Sequence, residues 1–290
     1  MVDHVQRFIF EDADVRGEII HLEDSYLKIM GQQAYPPHVR RRLGEVLAAA
    51  VLLSSALKFE GELTIQFQSE ESVIDMLVAK CTSQLGIRGL AKWRTELSDT
   101  EFDAAFGRGQ LVITIQFADS GQYYQSIVPL AQNSVVQGVA QALEHYFEQS
   151  EQLATRLWLY ADDHQVAGML LQLMPSARER EQDFWQYALD RAELFLPGSL
   201  VDLDNVAMLD QLYPDDDLRI FAERDVMFQC SCSVEKMEQA VMLLGEEEAN
   251  AILTEEPAIV VRCEFCQYAY SFDSIDVANI FLKHRDQTLH

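Results

Sequence analysis

Five cysteines occur in the chain, Cys81, Cys230, Cys232, Cys263 and Cys266, and four of them fall within the last 61 residues. Their order is C-x-C, then 30 intervening residues, then C-x-x-C. In a reducing compartment such clustering points to metal binding or redox chemistry rather than to structural disulfides. A C-x-x-C turn can aim two sulfurs at one point. In an extended C-x-C, the two-residue period puts both side chains on one face. Two such pairs make a four-thiolate set, the donor set of tetrahedral zinc. A closed four-cysteine site leaves no position for substrate, whereas catalytic zinc keeps three protein ligands and a water, so zinc hydrolase chemistry is not expected. The deaminase pattern also fails. His21-Leu-Glu23 matches H-x-E, but Arg262 rather than proline precedes Cys263, and the halves lie about 240 residues apart. His21 is read as incidental.

Two uses of the site stay open on residue chemistry. In one, zinc staples a small domain permanently. The tail is too short for a generous core, and structural zinc supplies roughly 10–16 kcal/mol of apparent folding free energy. In the other, that dependence is a switch: thiolates are what oxidants attack, the C-x-C sulfurs are near enough to oxidise locally, and loss of zinc unfolds the domain. A thiol oxidoreductase built on Cys263 and Cys266 is a further reading, weakened by the lack of a thioredoxin-like βαβ context.

The rest of the chain narrows the partners. Lys plus Arg number 22 and Asp plus Glu 47 in 290 residues, a formal charge of −25, which argues against a nucleic-acid partner. The tail itself holds 11 acidic and 4 basic residues, which argues against a nucleic-acid zinc module. Hydrophobic residues at 49% exclude global disorder. No secretory signal is visible at the N-terminus. Arg40-Arg41-Arg42 precede an apolar run, Val46 to Leu53, but Ser54, Ser55 and Lys58 cut it far short of the about 20 residues a membrane span needs. That run reads as a buried core helix, and the protein as soluble and cytoplasmic, without a membrane partner. Arg40-Arg41-Arg42 themselves read as a solvated helix face. No GxxxxGK[ST] phosphate loop occurs, no close pairing of the seven histidines is visible, and no catalytic residue is assigned.

The elements that must position the cysteines follow from periodicity. Residues 1–176 read as an α+β core domain with largely antiparallel sheet. Leu63–Gln68 alternates as a half-buried strand, and residues 110–117 and 122–128 flank a Gly-containing hairpin loop. Helical spacing recurs between Ser134, a plausible cap, and Gln149. Strands are expected at Thr155–Tyr160 and Gln165–Met174. Val73, Leu77, Cys81 and Leu85 read as one face of a helix, with Cys81 a buried structural cysteine. Residues 177–229 change character, with 13 acidic and 5 basic residues among many aromatic and aliphatic ones. Ser176 to Phe195 reads as one amphipathic helix of an apolar connector that must pack on something. In residues 230–290, Ser233 caps a helix running to Leu244 and stopped by Gly245. Glu246–Glu256 reads as a second short helix. Strands at Ala258–Arg262 and Tyr268–Phe272 flank Cys263–Cys266, and Asp273 or Ser274 caps a last helix.

The cysteine-spaced tail resembles that of the heat shock protein 33 family of redox-regulated chaperones. The resemblance continues through Lys58–Phe67 (KFEGELTIQF), Gly86–Gly89 (GIRG), Tyr146–Arg156 (YFEQSEQLATR) and Gly168–Pro175 (GMLLQLMP), in order and over most of the chain. It implies a core domain (1–176), a metastable linker (177–229) and a zinc-binding redox switch (230–290). The resemblance further implies one zinc per chain held by Cys230, Cys232, Cys263 and Cys266 in a reduced, inactive form. Oxidation would eject zinc and form the disulfides Cys230–Cys232 and Cys263–Cys266, unfolding switch and linker. The active form would be a homodimer that holds unfolding client proteins without ATP and later hands them to ATP-dependent foldases. An unfolded connector would uncover an apolar client surface, and the negative charge would keep such a complex soluble. One position departs from the family pattern: a Gly commonly follows the last cysteine, and Gln267 stands there. A left-handed turn at that point costs more for Gln than for Gly, which puts the geometry of the knuckle in doubt but not its ligands.

Overall fold

The computed structural model describes residues 3–69, 74–93, 98–130, 138–175, 181–194, 200 and 203–288. Their contacts divide the chain into two compact units, Met1–Gln229 and Cys230–His290. Among the described residues, no helix is long and apolar enough to cross a membrane.

The first unit is mixed α and β with largely antiparallel sheets, as expected. One sheet is built from β1 (His4–Phe10), β2 (Val15–Leu22), β8 (Thr155–Ala161) and β9 (Val166–Leu173), and is extended by the short strands β10 (Leu218–Ile220) and β11 (Arg224–Asp225), both on β1. The other runs in the order β12 (Met227–Phe228), β5 (Gly86–Trp93), β4 (Ile74–Thr82), β3 (Gly61–Gln68), β6 (Gln110–Phe117), β7 (Tyr123–Pro129). The β12–β5 pair is parallel. Among the described residues, three helices precede β6: α1 (Asp24–Met30), α2 (Pro37–Ala56) and α3 (Asp99–Phe106). The apolar run Val46–Leu53 forms the middle of α2 and is wholly buried against strands of both sheets. Pro37 at its first turn costs no hydrogen bond, because that N–H has no helical partner. Arg40, Arg41 and Arg42 are paired with Asp163, Asp99 and Asp103, and Arg42 also with Glu45.

Helix α4 (Val139–Tyr146) continues into a π-helical turn, Phe147–Glu151. Its first turn is capped by Gln141, whose Oε1 accepts from the Gly138 N–H at 3.0 Å. Ser134 lies outside the described residues.

The helix expected across Val73–Leu85 is instead strand β4. Spacing of four residues is a multiple of the strand period of two as well as near the helical 3.6. Leu77, Ala79 and Cys81 alternate into the core at 0% exposure, and pairing with β3 and β5 on both sides settles the choice.

The connector packs within the first unit. Its first helix, α5 (Glu181–Glu193), is shorter than the Ser176–Phe195 span, whose ends lie partly outside the described residues. A second helix follows, α6 (Asn205–Leu212), capped by Asp204, whose Oδ1 accepts from Val206 and Ala207 N–H. Both cover one of the two apolar faces of the first sheet. Phe8, Phe10, Val15, Ile19, Met169 and Leu171 meet Ala188, Leu189, Met208, Leu209, Leu212 and Tyr213 there. Phe10 is held edge-on by Phe184 at 5.0 Å and by Tyr213 at 4.9 Å. Gly17 makes room for this layer: a Cβ on it would lie 2.1 Å from the Phe8 ring.

The second unit is small. Helices α7 (Val234–Leu244), α8 (Glu246–Glu255) and α9 (Ser274–Thr288) pack with the hairpin of β13 (Ile259–Arg262) and β14 (Ala269–Phe272). Among its described residues, seven buried side chains form the core: Val241, Ala249, Ile259, Phe272, Val277, Ile280 and Phe281.

Candidate metal centre

Each cysteine pair is placed by local chemistry. Ser233 Oγ accepts from the Lys236 N–H at 3.4 Å and starts α7 directly after Cys232. Gly245 has φ +85°, the turn that stops α7 and admits α8. Lys236 Nζ donates to the Ser231 carbonyl at 2.6 Å and so fixes the link between Cys230 and Cys232. On the other side, β13 and β14 open into the knuckle. The Cys263 N–H donates to the Tyr268 carbonyl at 3.0 Å, and the Gln267 N–H to the Cys263 carbonyl at 2.8 Å. Gln267 occupies the left-handed region at φ +56°, the conformation in which a Gly would cost less. Asp273 caps α9, with Oδ1 accepting from Ile275 and Asp276 N–H at 2.8 and 2.9 Å.

All four sulfurs lie within 4.8 Å of one another. Cys230 Sγ is 3.6 Å from Cys263 Sγ, and Cys232 Sγ is 3.5 Å from Cys266 Sγ. A tetrahedron with Zn–S near 2.3 Å has sulfur–sulfur edges of about 3.8 Å. The two loops therefore present four soft donors at the spacing a tetrahedral ion requires, and the residues fit the group. Cys263 is buried, and the other three are half-buried.

The thiols share protons unevenly. Burial opposes ionisation at Cys232, but hydrogen bonds from Tyr270 and the neighbouring thiols bring it down to about 7. Burial pushes Cys230 and Cys266 up. The Tyr270 hydroxyl donates to its Sγ at 3.2 Å. Nothing in the spacing of the motif points to Tyr270; only its place on β14, four residues past Cys266, could have suggested it.

Cys81 lies in β4 at 0% exposure, and burial pushes its thiol up to about 12, an inert structural cysteine. His21 takes no part in the cysteine cluster. It does belong to a polar cluster that sequence reading missed. The β1–β2 register sets His4 opposite His21, with ring centroids 5.4 Å apart. Asn205, the first residue of α6, bonds both rings and donates to Gln6 Oε1 at 2.8 Å.

Comparison with known proteins agrees with this architecture. The family model described as Hsp33 protein matches residues 3–273. A "33 kDa chaperonin" of Methylobacillus flagellatus is 39% identical over 281 residues, covering 96% of this chain and 94% of its own. A protein of the same name from a Shewanella species is 39% identical over 280 residues, covering 96% of both chains. The crystal structure of the 33 kDa chaperonin of Thermotoga maritima superposes with a TM-score of 0.80 over 98% of this chain and 99% of that one, at 21% identity.

Proposed function

The chain belongs to the Hsp33 family, and on that premise we propose that it is a cytoplasmic, redox-regulated holdase chaperone. Cys230, Cys232, Cys263 and Cys266 are its sensor. The observation that carries this reading is the convergence of all four sulfurs within 4.8 Å in a unit whose described residues gather only seven buried side chains into a core. Zinc bound there would neutralise thiolate charge and cross-link two loops, supplying folding free energy the small core lacks.

The cysteines also define how the staple fails. Cys230 pairs with Cys232 and Cys263 with Cys266. Each thiolate pair gives up two electrons to one hydrogen peroxide, whose O–O bond breaks as the S–S bond forms, and both oxygens leave as water with two protons taken from solvent. All four donors are then consumed, and α7 and the knuckle lose their cross-link.

The client surface is the one that α5 and α6 now occupy. Displacing them uncovers Phe8, Phe10, Ile19 and Met169 on the sheet and Leu209, Leu212 and Tyr213 on the connector. Apolar area of this kind binds unfolding proteins without nucleotide. The active chain pairs with a second copy, and the held clients pass to ATP-driven foldases after reduction.

The test is made on one reduced, zinc-loaded sample. A metallochromic dye follows zinc while peroxide is added at mild heat, and light scattering by an unfolded client follows holding without ATP. Release of about one zinc per chain, with scattering suppressed only after oxidation, is expected. Zinc that stays bound with unchanged holding makes the tail a permanent staple and sinks the switch.

A further inference from the structure

Strand β10 closes an edge of the first sheet. It lies antiparallel on β1, with Leu218 opposite Phe10, Arg219 opposite Ile9 and Ile220 opposite Phe8. The Glu11 N–H donates to the Asp217 carbonyl and the Phe221 N–H to the Arg7 carbonyl, both at 2.9 Å. The alternation of an antiparallel ladder puts the paired bonds of Ile9 and Arg219 between them. Leu218 and Ile220 rest half-buried against the core that α5 and α6 complete. Arg219 is exposed, and its Nε meets Glu11 Oε1 at 2.6 Å.

We propose that the β1 edge is a second client site, which takes an extended segment with a basic residue between two apolar ones, and that β10 is its resident stand-in until the connector is displaced. That displacement rests on the redox reading above. Without β10 and β11, β1 is the outer strand of its sheet. Arg7, Ile9 and Glu11 then turn their N–H and C=O groups outward, the arrangement that adds a peptide as a further strand. Backbone groups accept unrelated sequences, so selection falls to side chains. Phe8 and Phe10 seat two apolar side chains two residues apart, as they now seat Ile220 and Leu218. The same rings border the surface that α5 and α6 cover, so the edge and the apolar face open together. Glu11 favours a cation between the two apolar residues, and the net charge of −25 draws basic segments to the chain. In the resting chain β10 is tethered beside the edge and outcompetes any free segment.

The probe is the chain's own Asp217–Glu223 as a fluorescein-labelled peptide (DLRIFAE), titrated to millimolar concentration and read by anisotropy. It is offered to the full chain in three forms: reduced and zinc-loaded, peroxide-treated, and reduced Arg219→Pro. The proline removes the central N–H and the ion pair of β10 from an exposed position, and Arg219→Ala, which keeps the N–H, is its control. Hydrogen exchange reports whether Leu218–Phe221 has let go. Peptide should bind the peroxide-treated chain and Arg219→Pro, and bind reduced wild type and Arg219→Ala at least about tenfold more weakly. Methylating the Arg219 nitrogen of the peptide, or making Arg219→Glu in it, should each weaken binding by roughly tenfold. Excess unmodified peptide should restore light scattering by a held client. Protection of Leu218–Phe221 that persists in Arg219→Pro overturns the proposal, as does a released edge that takes no peptide. Equal binding of the N-methylated peptide also overturns it, because the edge then lends no hydrogen bonds. A peroxide-treated chain that elutes as a dimer and takes no peptide has its edge closed by the β10 of a second copy, and the client assignment falls. If wild type never opens under peroxide while Arg219→Pro binds the peptide, the redox reading fails and the edge assignment stands.

Discussion

Asn205 Oδ1 lies 3.0 Å from His21 Nε2, a hydrogen bond that joins residues 184 apart in sequence and fastens the start of α6 to β2. The same amide donates to Gln6 Oε1 and to His4 Nε2, so His21 carries its proton on Nε2 and His4 accepts there. Within an otherwise apolar seam, this side chain satisfies three buried groups at once. Asn205→Leu keeps the volume and strands its partners, at a cost of about 2–4 kcal/mol to the docking of α6. Hydrogen exchange reads the result: amides of Asn205–Leu212 lose protection while those of β3 and β4 keep theirs. Equal protection in both chains rules out a fastening role.

Acid should loosen the same seam. Burial, with the neighbouring His4 adding to it, depresses His21 to about 4, against the opposing bond to Asn205. A base depressed in the folded state binds its proton more readily when unfolded. The stability it supports is therefore complete above pH 6.5 and is lost as pH falls from 6.5 to about 4. The window corresponds to roughly 3 kcal/mol. Urea unfolding of the wild type at pH 7 and pH 5 should show the loss, and His21→Gln should flatten it. An unchanged slope in that variant refutes the assignment.

Phe10 ties the sheet to both connector helices through the rings of Phe184 and Tyr213. Phe10→Ala removes both contacts and should cost about 3–5 kcal/mol. The reduced protein would then suppress aggregation of an unfolded client without oxidant. Light scattering that still demands peroxide would mean the seam does not gate holding.

Gln267 sits at φ +56° in the knuckle. Gln267→Gly relieves about 1 kcal/mol of left-handed strain, less a few tenths for the lost bond from Gln267 Nε2 to the Glu264 carbonyl at 3.1 Å. Competition with a chelator should extract metal more slowly from the variant. Faster extraction would show that the side-chain bond outweighs the strain.

Serine at any one of Cys230, Cys232, Cys263 or Cys266 leaves three soft donors and an unfilled corner. Metal content after dialysis against a mild chelator should fall well below that of the wild type, together with helical circular dichroism from α7–α9. Cys81→Ser, in the other unit, should leave metal content unchanged. Full metal retention in a tail variant would remove that cysteine from the donor set.

The four-cysteine cluster was legible because its information is local. Two short motifs, a serine cap and a glycine stop each act within a few residues, so spacing alone names Cys230, Cys232, Cys263, Cys266, Ser233 and Gly245. The alternating strands β3, β6, β8 and β9 were legible for the same reason. Strand β4 was not, because Leu77 and Cys81, four apart, satisfy both periods until β3 and β5 pair on either side. Nor could spacing show that His4, His21 and Asn205 share one buried cluster, or that the Tyr270 phenol ends on Cys232. The first depends on strand register and on where a helix 184 residues away docks. The second depends on which face of β14 the tail core buries. The sequence by itself determined the four cysteines and the local turns that present them. Tertiary packing decided which hydroxyl meets one sulfur and what fastens the connector, because a hydrogen bond between distant residues exists only once register and burial have fixed where both partners stand.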